Sequence, residues 1–249
     1  MKAMILAAGM GTRLLPLTQN KPKALIEVQG VSLLEHTIRY LKHHGIQEIV
    51  INIHHHAEQI VDFIHKNGSF GLRMEFSDET DELLDTGGGL YKARWFFDDN
   101  KPFILVTSDV ITDLNLQEMC VFHNKASSLA TLAVKRRKSS RDFLFDKVFR
   151  LCGWQSNTTG ETRIVRPVND PIRLAFSTVH VISPDIFDYI TERGRFSIID
   201  VYLRLAVTHP IMGFEHDSSL WFECGRIENL DSLNQTPEIK TIYHTFHHS

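Results

Sequence analysis

The sequence predicts an α/β protein: a doubly wound, mixed sheet with a small second lobe. Three observations predict it. The apolar runs at 3–8, 46–53 and 102–107 are continuous rather than alternating, the pattern of strands buried on both faces. Between residues 3 and 76 strand and helix patterns alternate with short connections, the order that gives parallel strands joined by right-handed crossovers. The first run ends at Gly9 and Gly11, and sheets of this kind bind ligands beyond the carboxyl ends of their strands.

Taken in order, residues 3–8 form the first buried strand. Gly9 and Gly11 then let the backbone turn sharply and approach a ligand closely. Arg13 and Lys23 add a guanidinium and an ammonium to the backbone amides there, a site suited to a polyphosphate. Residues 32–45 read as a helix. Ser32 and Glu35 form a capping box, Leu33, Leu34, Thr37, Ile38 and Leu41 share a face, and Gly45 stops it. Residues 46–53 are a second buried strand. His54, His55 and His56 follow; residues one and two apart share no face, so they read as a polar loop rather than a metal cluster.

A helix over 57–66 turns Ile60, Val61 and Ile64 inward, and 72–76 is a short strand. The acidic stretch 78–85 and the TGGG at 86–89 read as a loop before a helix at 90–97. Acids and glycines suit a helix start as well as a ligand loop, so both readings stand. Residues 102–107 are a buried strand ending in Ser108-Asp109, where an acid can hold Mg2+ against phosphates.

A helix over 115–124 and a strand over 129–134 come next. The basic run KRRKSSR at 135–141 reads as a solvated loop. No aromatic interleaving supports nucleic-acid binding. Residues 143–146 and 151–154 read as a hairpin in the second lobe, with a turn at 155–160. A strand at 176–183 and a short helix at 184–190 follow. The helix at 197–207 carries Ile198, Val201 and Leu205 as a buried stripe. The last strand falls at 214–222, a helix at 228–234, and a mobile, histidine-bearing tail runs to 249.

A net charge of −3 argues against a protein that coats nucleic acid. Cys120, Cys152 and Cys224 are odd in number and lack C-x-x-C spacing, which fits a reducing, cytoplasmic compartment. No leader pattern and no apolar run long enough for a membrane span are present, so no membrane partner is expected.

The string LAAGMGTRLLPLTQNKPK at 6–23 says more. A third glycine at Leu14, needed for a dinucleotide fingerprint, is missing, and so is the Gly-Lys-Ser/Thr of a Walker A loop. The string instead resembles the signature of sugar-1-phosphate nucleotidyltransferases, L-A-A/G-G-x-G-T-R-L-x-P-L-T-x-x-x-P-K, at every fixed position. Two weaker segments resemble the same family. Residues 173–178 are similar to its A-F-S/T-G, with Thr178 for Gly. Residues 221–226 are similar to its W-x-D-x-G-T, with Glu223 for Asp and Arg226 for Thr.

The resemblance implies a Rossmann-like fold of the nucleotide-diphospho-sugar transferase type. One domain would span 1–235, with a nucleotide-binding half at 1–112, a sugar-binding half at 113–235 and a tail at 236–249. It also implies transfer of a nucleotidyl group from an NTP to a sugar 1-phosphate. Leu6, Ala8, Gly9, Gly11 and Thr12 would hold the nucleotide, and backbone from Asp85 to Gly88 would read the base edge. Arg13 would neutralise the leaving pyrophosphate and Lys23 would bridge the reacting phosphates. Asp109 and Glu223 would hold Mg2+, and Glu161 and Ser177 would contact the sugar. The similarity is greatest to a small bacterial subgroup of uridylyl- and guanylyltransferases. UTP with N-acetylmuramate 1-phosphate, or GTP with mannose or heptose 1-phosphate, are the expected pairs. A catalytically weak relative that binds nucleotide sugars, and a cytidylyltransferase acting on a phosphorylated alcohol, are the alternatives. A monomer or homodimer is expected.

Overall fold

The computed structural model describes residues 1–247. In chain order it comprises β1 (Lys2–Leu6), β2 (Glu27–Val28), β3 (Val31–Ser32), α1 (Leu33–His43), β4 (Glu48–Ile53), α2 (Ala57–Lys66), β5 (Arg73–Asp78) and α3 (Asp85–Lys92). Then come β6 (Phe103–Thr107), β7 (Val110–Thr112), α4 (Leu116–Lys125), β8 (Ala130–Lys135), β9 (Arg141–Phe145), β10 (Leu151–Ser156), β11 (Thr162–Ile164) and β12 (Ile172–Ile182). The chain finishes with α5 (Ile186–Tyr189), α6 (Ile198–Leu205), β13 (Ile211–Glu215), β14 (Trp221–Glu223), α7 (Ile227–Asn234) and α8 (Pro237–His247).

Ten strands form the main sheet, in the order β11-β10-β9-β12-β6-β1-β4-β5, with β8 on β12 and β13 on β8. The parallel half is β6, β1, β4 and β5. From β1 the chain winds outward through β4 to β5, then returns to the other side of β1 as β6. The strand order therefore reverses between β1 and β6, the place where open α/β sheets bind ligands. Leu6 pairs with Thr107 at that carboxyl end.

The continuous apolar runs have the cause proposed for them. Ala3 and Ile5, Ile49 and Ile51, and Ile104 and Val106 pack into one core. Met4, Val50, Phe103 and Leu105 pack into a second, on the opposite face. Successive strand residues point to opposite faces, so helices on both sides demand apolar residues at every position. Leu34, Ile38 and Leu41 of α1 cover the first face; Leu90 of α3 and Val201 and Tyr202 of α6 cover the second. The Ser32 hydroxyl accepts from the Glu35 amide at 3.2 Å, one half of the capping box. The Glu35 carboxylate turns instead to Arg39 Nε at 2.8 Å.

Four expectations need correction. The tail is helical and packed where described. Residues 237–247 form α8, whose Ile239, Ile242 and Phe246 are buried, and Phe246 packs against Tyr40 and His43 of α1. The apolar residues recur at helical spacing, which the interspersed histidines obscure. The helix expected from residue 90 starts at Asp85, so the TGGG lies inside α3. The single last strand is two: β13 pairs with β8 and β14 with β7, in different sheets. The basic run at 135–141 is not a free solvated loop. Lys135 Nζ donates to the carbonyls of His216, Asp217 and Ser219, and Arg136 bonds Glu215 and Asp217.

Four buried histidines, including His36, whose pKa burial also lowers, give the fold a pH dependence. Burial pulls His123 and His216 down to about 4 and His180 to about 3. Their folded values lie below the ordinary 6.5, so below that pH the unfolded chain binds more protons than the folded one. Stability from these groups is complete above pH 6.5 and is lost as pH falls toward 4. The melting temperature is expected to fall steadily from pH 7 to pH 5, a range in which exposed carboxylates stay charged. A flat calorimetric profile over that range would contradict the assignment.

Candidate active site

A cavity of about 1150 Å3 opens beside the carboxyl ends of β1 and β6, with Leu6, Thr107 and Asp109 in its wall. The glycine turn begins where β1 stops. Asn52 of β4 fixes its first residues: its Oδ1 accepts from the amides of Ala7 at 2.7 Å and Ala8 at 3.3 Å. Gly11 has φ +65°, and a Cβ there would lie 2.8 Å from the Thr18 side chain. Glycine is thus required at that position on both counts. At Gly9 a Cβ would meet no protein atom within 4 Å; the space it leaves is open to a ligand. Gly9 and Thr12 are exposed and Ala8 is buried. Arg13 sits on a single turn, Thr12–Leu14, anchored by buried Leu14. Lys23 sits on a second, Lys23–Leu25, anchored by Ala24 and Leu25.

The carboxylates reach the same place from elsewhere. The Ser108 amide donates to the Leu6 carbonyl at 3.1 Å, which holds Asp109 at the end of β1. The Asp109 carbonyl accepts from the Cys224 amide at 2.9 Å, and Glu223 pairs with Val110 in the β14–β7 ladder. Residues 114 apart in sequence are thereby set side by side. Lys23 Nζ forms an ion pair with Asp109, and Arg13 pairs with Glu223 at 3.3 Å. Gly225 marks where they converge. A Cβ there would be 2.8 Å from Asp109 Oδ2, 3.1 Å from Lys23 Nζ and 3.4 Å from Arg13 Nη2.

Burial would raise the Asp109 carboxyl, but Lys23, the Thr107 hydroxyl and Arg13 outweigh it and hold the pKa below the ordinary range. The acid stays charged. Cys224, next to it, goes the other way: burial, with the Asp109 charge, pushes its thiol up to about 12. A thiol protonated at neutral pH is no nucleophile. Thr107 Oγ1 lies 2.7 Å from Thr178 Oγ1. Thr178 has φ +59°, a costly conformation for a β-branched residue, at a bulge where β12 slips against β8.

The sugar-side expectations divide. Glu161 lines the cavity. Ser177 does not: it is fully buried, its hydroxyl 2.8 Å from His216 Nε2. Residues 176, 178 and 180 line the cavity instead, with the irregularity between Phe176 and His180 setting which way each side chain turns. Gly88 is also displaced from the expected role. Its amide donates to the Phe196 carbonyl at 3.2 Å, and a Cβ would lie 2.4 Å from the Gly194 carbonyl. Glycine serves there to seat α3 on the 194–198 segment. Asp85 and Thr86 do line the cavity.

Sequence reasoning missed Asn52 and Glu79. Asn52 Nδ2 donates to Glu79 Oε1 at 2.8 Å, and Glu79 Oε2 accepts from the Leu84 amide at 3.0 Å. The pair ties the glycine turn to the loop before α3. The available signal was a lone asparagine inside the apolar run 46–53. Arg226 was noted only as a departure; its Nε is 3.7 Å from Glu223, which thus lies between two guanidiniums. Among the described residues no group of three or more His, Cys, Asp or Glu is placed to hold a metal, the histidines at 54–56 included. The donor set at Asp109 and Glu223 nevertheless suits Mg2+, which takes one or two protein carboxylates and completes its shell with phosphate and water oxygens.

Comparison with known proteins agrees with this layout. Residues 2–143 match the family model described as nucleotidyl transferase. N-acetylmuramate alpha-1-phosphate uridylyltransferase of Neisseria meningitidis serogroup B is 30% identical over 91% of this chain and 94% of its own length. UTP–glucose-1-phosphate uridylyltransferase of Synechocystis is 28% identical over 80% of this chain. The chain spans only 53% of that relative. Among solved structures, UDP-glucose pyrophosphorylase from Acinetobacter baumanii superposes with a TM-score of 0.76 at 15% identity, covering 98% of this chain and 96% of that one. That likeness bears on the fold alone, and it is the Rossmann-like mixed sheet expected from the signature. By its family match and by the Neisseria relative, this chain belongs to the nucleotidyl transferase family.

Proposed function

We propose that the protein transfers a nucleotidyl group from an NTP to a sugar 1-phosphate, releasing pyrophosphate. The observation that carries this reading is the meeting of Arg13, Lys23 and Asp109 within 3.4 Å of one point at Gly225, with Glu223 on Arg13. A sugar phosphate oxygen attacks the α-phosphorus in line. It is already an anion near neutral pH, so no general base is needed, and catalysis is positioning plus charge stabilisation. Lys23 holds the α-phosphate and the attacking phosphate together, and Arg13 neutralises the leaving pyrophosphate. Asp109 and Glu223 would hold Mg2+, which would supply charge to offset the repulsion between the two phosphates. The ion pairs in the free site hold the four side chains together, and phosphates and a cation would exchange for those partners.

UTP with N-acetylmuramate 1-phosphate is the proposed pair. Support comes from the Neisseria relative, matched across nearly its whole length. A second reading, binding without turnover, has one observation in its favour: Glu223 lies between Arg13 and Arg226. One experiment separates them. Pyrophosphate release is measured for four NTPs against muramyl, mannosyl, glucosyl and heptosyl 1-phosphates, with and without Mg2+. Turnover with UTP and the muramyl substrate is expected; GTP with mannose or heptose 1-phosphate would reassign the pair. Binding without release in every combination would leave the second reading.

A further inference from the structure

Arg137 has no part in the phosphate chemistry proposed above. This residue belongs to the basic run between β8 and β9 and lines the cavity. The guanidinium lies 3.7 Å over the Trp221 ring. Nη2 donates to the Phe176 carbonyl at 2.6 Å, and Nη1 to the Lys138 carbonyl at 3.4 Å. Nε is buried with no partner. Glu223 and Asp142 are the acids that face it, and neither oxygen comes within the 4.0 Å of an ion pair. Of the other arginines in the wall, Arg13, Arg163 and Arg226 each have a carboxylate, while Arg141 has none but is exposed to solvent where Arg137 is half-buried.

A half-buried guanidinium fixed in orientation but left without a counter-ion is costly unless its partner arrives with a ligand. Stacking on an aromatic face and two backbone acceptors pre-orient the group, so little entropy is lost when an anion docks. Its position narrows what that anion is. Trp221 and Glu223 are two apart on β14 and share a face, so the guanidinium stacked on Trp221 lies on the same side of β14 as the carboxylate, outside ion-pair distance of it.

Resting on the function proposed above, we infer that Arg137 binds an anionic group of the sugar substrate, and so sets the preference for the acceptor rather than for the NTP. The shared chemistry is a phosphate or carboxylate with two oxygens toward the guanidinium. Its source is the acceptor's own 1-phosphate or a carboxylate on the sugar ring.

The test compares wild type with Arg137→Gln and Arg137→Lys by calorimetric titration with UTP, N-acetylmuramate 1-phosphate and N-acetylglucosamine 1-phosphate, all with Mg2+. Arg137→Gln is expected to weaken the sugar phosphates about 10- to 100-fold, the usual size for a lost hydrogen bond to a charged group. UTP affinity stays within about twofold, and Arg137→Lys recovers part of the loss. A loss on both sugars assigns the 1-phosphate; a loss on the muramyl compound alone assigns its carboxylate. Equal losses for UTP and the sugars, or no loss, overturn the inference, as does a melting temperature lowered enough to explain weak binding of every ligand. Inorganic phosphate, titrated against tryptophan emission, keeps the outcome separate from the reaction. Saturation in wild type that weakens about 10-fold or more in Arg137→Gln, where Arg13 and Lys23 remain, would support the anion site even if no transfer were observed. Active transfer with an unaltered Arg137→Gln titration would leave the function standing and remove this residue from it.

Discussion

Replacing Lys23 or Asp109 by alanine is expected to lower the rate of pyrophosphate release by about 10²- to 10³-fold, the usual cost of one preorganised charge contact to a transition state. The two lie against each other, 15% and 14% exposed, so a purely structural ion pair is the rival explanation. Removing one partner of a buried pair strands the other and lowers stability, whereas removing both can be nearly neutral. The double variant separates the two. If the pair only braces the fold, Lys23→Ala with Asp109→Ala should regain the melting temperature and the activity together. If the side chains act on phosphate and metal, stability returns and activity does not. The arrangement favours the second outcome, because Arg13 already lies close enough to help keep Asp109 charged when Lys23 is lost. Steady-state rates and thermal midpoints on the three variants give the answer.

What the sequence made legible was local. The glycine turn, Arg13 and Lys23 fall within one short string, and that string bears its signature in order. The central strands were legible because burial on both faces leaves an unbroken apolar run. Features set by distant partners were not. Three successive glycines argue against a helix interior by propensity, yet α3 runs through Gly87, Gly88 and Gly89. A Cβ at each would strike, in turn, the Phe196 ring, the Gly194 carbonyl and the Glu79 carboxylate. Close packing decides there, and it appears only when residues 79 and 194–198 are brought up to the helix. Arg137 looked like one more charge in a solvated run because nothing in its neighbourhood announces Trp221, far along the chain. Ser177 was a plausible sugar contact by motif, but its facing depended on the phase of β12, which the bulge at Thr178 sets only against β8.

Asn52→Ala should be among the most damaging single changes outside Arg13, Lys23, Asp109 and Glu223. The side chain is 3% exposed and Glu79, its partner, is fully buried. Truncation strands the amides of Ala7 and Ala8 and one oxygen of Glu79. Each buried polar group left unpaired costs about 1–3 kcal/mol; with partial relaxation, a loss of about 3 kcal/mol follows. For a chain of this size that is a fall of about 6–12 °C in melting temperature. Asn52→Asp keeps the shape and both accepted bonds but sets an acid against Glu79 where a donor had been. It should be no milder, which a volume argument alone would not foresee. The functional effect should also be lopsided. Asn52 fixes the first residues of the glycine turn and, through Glu79, the loop ahead of α3, but touches nothing on the sugar side. KM for the NTP should therefore rise several-fold while KM for the sugar phosphate changes little. A melting temperature within about 2 °C of wild type would mean that water replaces the asparagine at no cost. Equal shifts in both KM values would mean that the damage spreads through the whole sheet rather than through the turn it holds.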